Sequence, residues 1–118
     1  MNILMIGIGG ALGSISRFFL SNFIDNYSNK EFPIGILIIN IVGCFCVGLF
    51  FGSGAVKEYL NSFFVIGFLG AFTTMSAFSY QSLLIFHNQN FFYSFLYIFI
   101  TVVLSIIATF IGYTMLNK

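Results

Sequence analysis

The chain has 118 residues with only four Lys or Arg and three Asp or Glu, a net charge of +1, and 59% hydrophobic residues. Water-soluble domains carry about a quarter charged residues, so the composition excludes a soluble globular fold, and the near-zero charge excludes a nucleic-acid-binding surface. The charges also mark boundaries: 25 uncharged residues separate Glu31 from Lys57, and 59 separate Glu58 from Lys118. A membrane-crossing helix needs about 20 apolar residues, so the second gap holds two crossings, divided at the polar run His87-Asn88-Gln89-Asn90. The expectation is an all-α, multi-pass membrane protein of one domain over 1–118, with spans near 2–24, 33–53, 62–86 and 92–116.

No charge precedes Arg17 and no small-residue cleavage site is evident, so the first span reads as a mature helix rather than a signal peptide. Its Gly9-Gly10-x-x-Gly13 pattern permits close approach of a neighbouring helix. Arg17 lies deep in apolar sequence, where a guanidinium is costly. Three roles are open to it: snorkelling to a headgroup, attracting anions near a pore mouth, or pairing with another helix. In the second span Pro33 suits a first helical turn, and Gly35, Gly43 and Gly48-x-x-x-Gly52 offer further packing positions. Cys44 and Cys46 point about 200° apart on a helix, so they cannot easily bond to each other and read as small buried hydrophobes rather than as metal ligands or a redox pair. Asn40 is the unusual residue here. An amide at that depth must find partners, either as interhelical glue or as an uncharged donor to a passing anion.

The third span concentrates Gly67, Gly70, Thr73, Thr74, Ser76 and Ser79 within 13 residues. Gly relaxes a helix and Ser or Thr can satisfy freed backbone groups, so this stretch either breaks or stays helical with its hydroxyls against neighbours. In the fourth span Tyr97, Thr101, Ser105 and Thr109 recur every four residues, placing four hydroxyls on one helical stripe as a polar track or a partner contact. Among the 18 phenylalanines, Phe78 sits inside the Ser/Thr-rich stretch, where a ring edge can meet an anion.

No Asp or Glu lies deep in a span, and there is no phosphate-binding loop, His cluster or nucleophile–base pair. The inventory of neutral donors favours a passive path for a small anion over an enzyme. Four thin helices cannot wall such a path alone, so an oligomer is expected. The Lys and Arg residues are nearly balanced between the two sides, which suits a chain that inserts in both orientations, although so few charges can also balance by chance.

The residues singled out also carry a family pattern. Gly9-Gly10-Ala11-x-Gly13-x-x-x-Arg17, Pro33-x-Gly35 through Asn40-x-x-Gly43, and Gly67-Phe68-x-Gly70-x-x-Thr73-Thr74-x-Ser76-x-Phe78-Ser79 together resemble the Fluc/CrcB family of small fluoride channels along nearly the whole chain. The resemblance implies a passive channel that exports cytoplasmic fluoride across the plasma membrane, built as an antiparallel dual-topology dimer. It implies a third helix broken at Thr73-Thr74 and a structural sodium ion held by the Gly70 and Thr73 carbonyls. The pore residues it implies are Asn40, Met75, Phe78, Tyr97, Thr101, Ser105 and Thr109, with Arg17, Ser76 and Ser79 in vestibule or structural roles. Three positions depart from the family pattern: Met75 replaces the first pore phenylalanine, Ile36 a usual threonine, and Gln81 a common glutamate. Met75 leaves open a heterodimer in which this chain is a non-conducting partner. A small multidrug-type exporter shares the size and topology but relies on a carboxylate inside its first span, where this chain has only Asp25 at the end.

Overall fold

The computed structural model describes residues 2–28, 34–54 and 57–117. Pro33, Lys30, Glu31 and Lys118 lie outside the described residues. Four helices long and apolar enough to cross a membrane make up the chain, which is therefore a multi-pass membrane protein. Helix α1 (Ile3–Tyr27) starts at Asn2, whose side chain accepts from Leu4 N at 3.1 Å and Met5 N at 3.3 Å. Helix α2 follows (Gly35–Gly52). The third crossing opens with a helical turn, α3 (Glu58–Leu60), and continues as a π-helical run (Asn61–Leu69) and a short turn, α4 (Gly70–Phe72). After two extended residues it resumes as α5 (Met75–Asn88). Helix α6 (Phe91–Leu116) is capped by Asn90, which accepts from Tyr93 N at 3.0 Å; the polar run begins in the last turn of α5, and its end, Gln89-Asn90, makes the turn into the last crossing.

Lipid tails are as apolar as leucine, so helices in a bilayer associate through close packing more than through the hydrophobic effect. Glycines make that packing here. On α1, a Cβ at Gly9 would strike Phe63 O and one at Gly13 would strike Phe68 O, so α1 lies backbone-to-backbone on the π-helical run. Gly67 answers from the other side, with a Cβ placed 2.8 Å from Ile6 O. Helices α2 and α6 meet in the same way: Gly48 abuts Thr109 O, Gly52 abuts Tyr113 O, and Gly112 abuts Phe45 O. The two pairs are joined by Asp25 at the end of α1, whose Oδ1 accepts from Gly35 N at 2.8 Å. A carboxylate is well placed there, against the positive end of the α2 dipole.

The core between α2, α5 and α6 is small. Ile36, Phe78, Ile85 and Tyr97 form it, with Phe78 and Tyr97 stacked at 5.7 Å. Ser94 Oγ donates to Ser82 O at 2.8 Å and ties α6 to α5. Most large apolar side chains instead face outward, as a hydrocarbon surround allows. The molecule measures 45 × 31 × 22 Å. Its least dimension is about two helix diameters, so no axis within the chain is ringed by helices.

The glycine contacts give a graded test. Gly48→Ala and Gly13→Ala should each destabilise the protein by about 1–3 kcal/mol, because their methyl groups meet backbone that cannot yield. Gly7→Ala, with nothing near its Cβ, should stay within about 0.5 kcal/mol of the parent. Thermal unfolding in detergent compares the three.

Candidate functional site at the helix interruption

Gly70–Phe72 is the last helical turn before the interruption, and Thr73 (φ −84°, ψ 151°) and Thr74 (φ −152°, ψ 126°) are extended. Thr73 stays attached to the turn it leaves: its N and Oγ1 both donate to Leu69 O, at 3.0 and 2.9 Å. Thr74 belongs to the turn that follows, its Oγ1 accepting from Ala77 N at 3.3 Å and bonding Ser76 Oγ at 3.1 Å. This is an ordinary threonine N-cap, placed in the middle of a membrane span.

An extended peptide unit inside hydrocarbon needs outside partners, and Asn40 supplies both. Its Oδ1 accepts from Thr74 N at 2.9 Å and its Nδ2 donates to Thr74 O at 3.2 Å. Asn40 is only 9% exposed, and one of its two amide hydrogens remains after this pairing. Gly43, one turn along α2, leaves room for the Thr73 methyl group, which a Cβ there would overlap.

The pairing has a consequence for the neighbouring backbone. Gly70 O would take the Thr74 N–H in a continuous helix, but that hydrogen is bound to Asn40. The carbonyls ending the first half-helix and the N–H groups of Met75 and Ser76 beginning the second are therefore left without helical partners. A negative end and a positive end of two helix dipoles face one another across two residues.

A cavity of about 420 Å³ opens beside this point. Of the residues expected from sequence, it brings together Asn40, Gly70, Thr73, Met75, Phe78, Thr101 and Ser105, and it adds Cys44 and Thr74. No charged residue lines it. The structure corrects the reading of Cys44 as a buried hydrophobe, since it lines the cavity; its four-residue spacing from Asn40 puts both on one helix face and could have signalled this.

The hydroxyl stripe of α6 is divided among different tasks. Thr101 Oγ1 donates to Tyr97 O at 2.7 Å, and Thr109 Oγ1 to Ser105 O at 3.1 Å and Cys44 O at 3.2 Å. Thr109 thus lies between α6 and α2, away from the cavity lining. Tyr97 is fully buried beneath the Phe78 ring. Ser105 contributes to the cavity lining, while its Oγ is itself buried with no hydrogen-bond partner. Ser76 and Ser79 are exposed on α5, and Met75 at its first turn is 73% exposed. Arg17 is half-buried on α1, outside the lining, and no carboxylate among the described residues pairs with it. Gln81 Oε1 is buried without a partner, at a position where a carboxylate would place charge in the protein interior.

A family model described as CrcB-like protein, Camphor Resistance (CrcB), matches residues 4–113. The chain belongs to the CrcB family. A protein of Campylobacter lari named fluoride-specific ion channel FluC is 43% identical over 114 residues, covering 94% of this chain and 93% of that one. Proteins of the same name from Dehalococcoides mccartyi and Flavobacterium psychrophilum are 41% and 38% identical over 114 residues, each covering 93% of this chain and 88% and 92% of their own. These CrcB relatives are named as ion channels rather than enzymes.

The Asn40 pairing predicts a stability effect apart from any transport. Asn40→Ala strands the Thr74 N–H and C=O in a dry site and should cost about 1–3 kcal/mol or more. Thr101→Val removes a hydroxyl bonded only within its own helix and should cost less than about 1 kcal/mol. Unfolding of both variants in detergent gives the comparison.

Proposed function

We propose that this CrcB-family chain is the subunit of a passive fluoride channel that lets fluoride leave the cell. The observation that carries the reading is the uncharged cavity at the helix interruption, lined by neutral donors. Fluoride is small and strongly hydrated, so it enters a membrane only where donors replace its water. The second Asn40 amide hydrogen and the Met75 N–H group can do so, and the Ser105 hydroxyl, buried without a partner beside the cavity, can do so on turning toward it. Phe78 is packed in the core against Tyr97 but also borders the cavity, where its positive ring edge can meet the anion. HF crosses membranes, ionises inside and is trapped as fluoride; a passive anion path releases it and protects the cell.

The two half-helices are the working feature of the third crossing in this reading. A sodium ion fits the carbonyls of Gly70 and Thr73, which are hard oxygen ligands, the former deprived of its helical donor by Asn40. It would supply a fixed positive charge that holds the carbonyl ends together. The 22 Å thickness of one chain supports a need for a second copy or a paralogous subunit to close the path, which in this reading packs as an antiparallel, dual-topology dimer. Met75, at the first turn of α5, is exposed in the single chain and so is free to meet such a partner. The family relationship and the cavity together disfavour a small multidrug-type exporter: its carboxylate has no counterpart here, because Asp25 is bound to Gly35 N.

Purified protein in liposomes should release fluoride rapidly, read with a fluoride electrode, and exclude chloride. Silence that lifts only when a second subunit is added would assign this chain to a heterodimer. Asn40→Asp should abolish flux, since a carboxylate repels the anion; unchanged flux would remove Asn40 from the path. Thr73→Ser keeps both the carbonyl and a hydroxyl able to reach Leu69 O. It should leave sodium-dependent dimerisation intact, and dissociation of that variant in detergent would count against a carbonyl role.

A further inference from the structure

A second cavity, of about 480 Å³, is lined by residues of four elements, among them Leu12 of α1, Leu49 of α2, Phe68 of the π-helical run and Leu116 of α6. Leu49 is nine residues, or two and a half helical turns, from Asn40, so the two cavities open on opposite sides of α2. The lining is hydrocarbon apart from the Cys46 thiol and the Ser53 hydroxyl. It also has a direction. Ser53 caps the end of α2 and Leu116 ends α6, which puts both at the membrane surface where α1 begins. Leu12 lies nine residues beyond Ile3, about 14 Å below that surface. Half of a hydrocarbon core is about 15 Å thick, so the groove runs the depth of one leaflet. Leu12, Phe64 and Leu116 are each nearly half exposed, which leaves it open to the bilayer side. The surface end is basic: Lys57 caps α3, and the sequence has Lys118 two residues past Leu116. Glu58 lines a different cavity, with Asn2, Ile3 and Leu4.

We propose that this groove holds one acyl chain of a phospholipid with an anionic headgroup, drawn from the leaflet on the Lys57 side. An empty groove would leave its walls without contact atoms, and water would find almost no polar partner there. A hydrocarbon chain meets both conditions, and the depth of the groove matches the one leaflet that supplies it. The headgroup then lies at the level of Lys57, where a basic side chain favours an anionic lipid by about fivefold. The inner end of the chain rests on Leu69, whose carbonyl accepts from Thr73 N and Oγ1 just before the interruption. A second copy is not the occupant: in the channel reading it closes the cavity beside Asn40, on the opposite side of α2. That exclusion rests on the fluoride-path reading, whereas lipid binding is measured without transport.

The test places the purified protein in vesicles of phosphatidylglycerol and phosphatidylcholine, with a trace of phosphatidylglycerol carrying a diazirine near the end of one acyl chain. After illumination, adducts mapped by mass spectrometry should concentrate at Cys46, Leu49 and Phe68 over Phe95 and Phe99, which face outward on α6. Native mass spectrometry should find one phosphatidylglycerol retained per chain. Leu49→Trp, which fills the groove, should lose it, while Phe95→Trp should keep it. Lys57→Gln should lower the preference for phosphatidylglycerol over phosphatidylcholine about fivefold. Adducts no denser in the groove than on Phe95 and Phe99, or lipid retained by Leu49→Trp, would overturn the proposal, as would equal retention of the two lipids by the parent. The adduct map uses the unaltered chain and decides the matter if a variant fails to fold. Chains joined to one another at Cys46 by a bifunctional thiol reagent, in place of lipid adducts, would assign the groove to a second copy and overturn the proposal. Groove adducts in a protein that passes no fluoride would support the lipid site and count against the channel reading alone.

Discussion

The structure depends on one side chain holding one peptide unit. A strand-like residue within a membrane helix exposes an N–H and a C=O to a medium with nothing to offer them, at a cost of several kcal/mol. Asn40 presents an acceptor and a donor side by side in one plane, and Thr74 receives both. Among side chains only asparagine and glutamine carry that pair, and glutamine is a methylene longer. A charged residue would match one half of the peptide and oppose the other. With this pairing in place, the helix has no gain in closing through Thr73 and Thr74. The carbonyls before the interruption and the N–H groups after it stay without helical partners.

For Asn40 to reach Thr74, α2 must lie against the interruption to within the tolerance of a hydrogen bond. The glycines set that distance. Gly43 admits the Thr73 methyl, while Gly48, Gly52 and Gly112 bring α2 and α6 together at backbone contact. Gly9, Gly13 and Gly67 do the same for α1 and the π-helical run that leads into the interruption. That run places the backbone of Phe63 and Phe68, rather than their rings, against α1. Asp25, through Gly35 N, then fixes the start of α2 to the end of α1. Packing at the ends of the helices is thus translated into the position of a polar contact near the centre.

Much of this is legible in the sequence, but unevenly. The four crossings follow from the spacing of seven charges, and the packing faces from the glycine spacing. Asn40 and the run from Gly70 to Ser79 declare themselves because polar atoms at that depth need a reason. What each atom does is less legible. A four-residue period places Tyr97, Thr101, Ser105 and Thr109 on one stripe, yet it cannot say that Thr101 and Thr109 direct their hydrogens into their own helix while Ser105 does not. The contribution of Thr74 to the Asn40 contact comes from its backbone, which every residue shares, so its identity carries no mark of it. Cys44 was concealed by its own chemistry, since a thiol in an apolar helix usually packs as a hydrophobe.

The absence of charged residues from the cavity lining is consistent with a site that must release what it binds. At about 4 Å and an effective dielectric near 20, a full opposite charge holds a monovalent ion by about 4 kcal/mol, before any hydrogen bonds are added. Helix ends carry only about half a charge and amides less, so several can be combined without reaching that depth. The interruption also spaces the two kinds of end usefully. Two extended residues span roughly 7 Å, a separation at which unit charges of opposite sign attract by about 2 kcal/mol under the same dielectric. A cation on the carbonyl side would therefore favour an anion on the N–H side without binding it irreversibly. The two extended residues thus set the spacing as well as the exposure of these groups, and Asn40 keeps them extended.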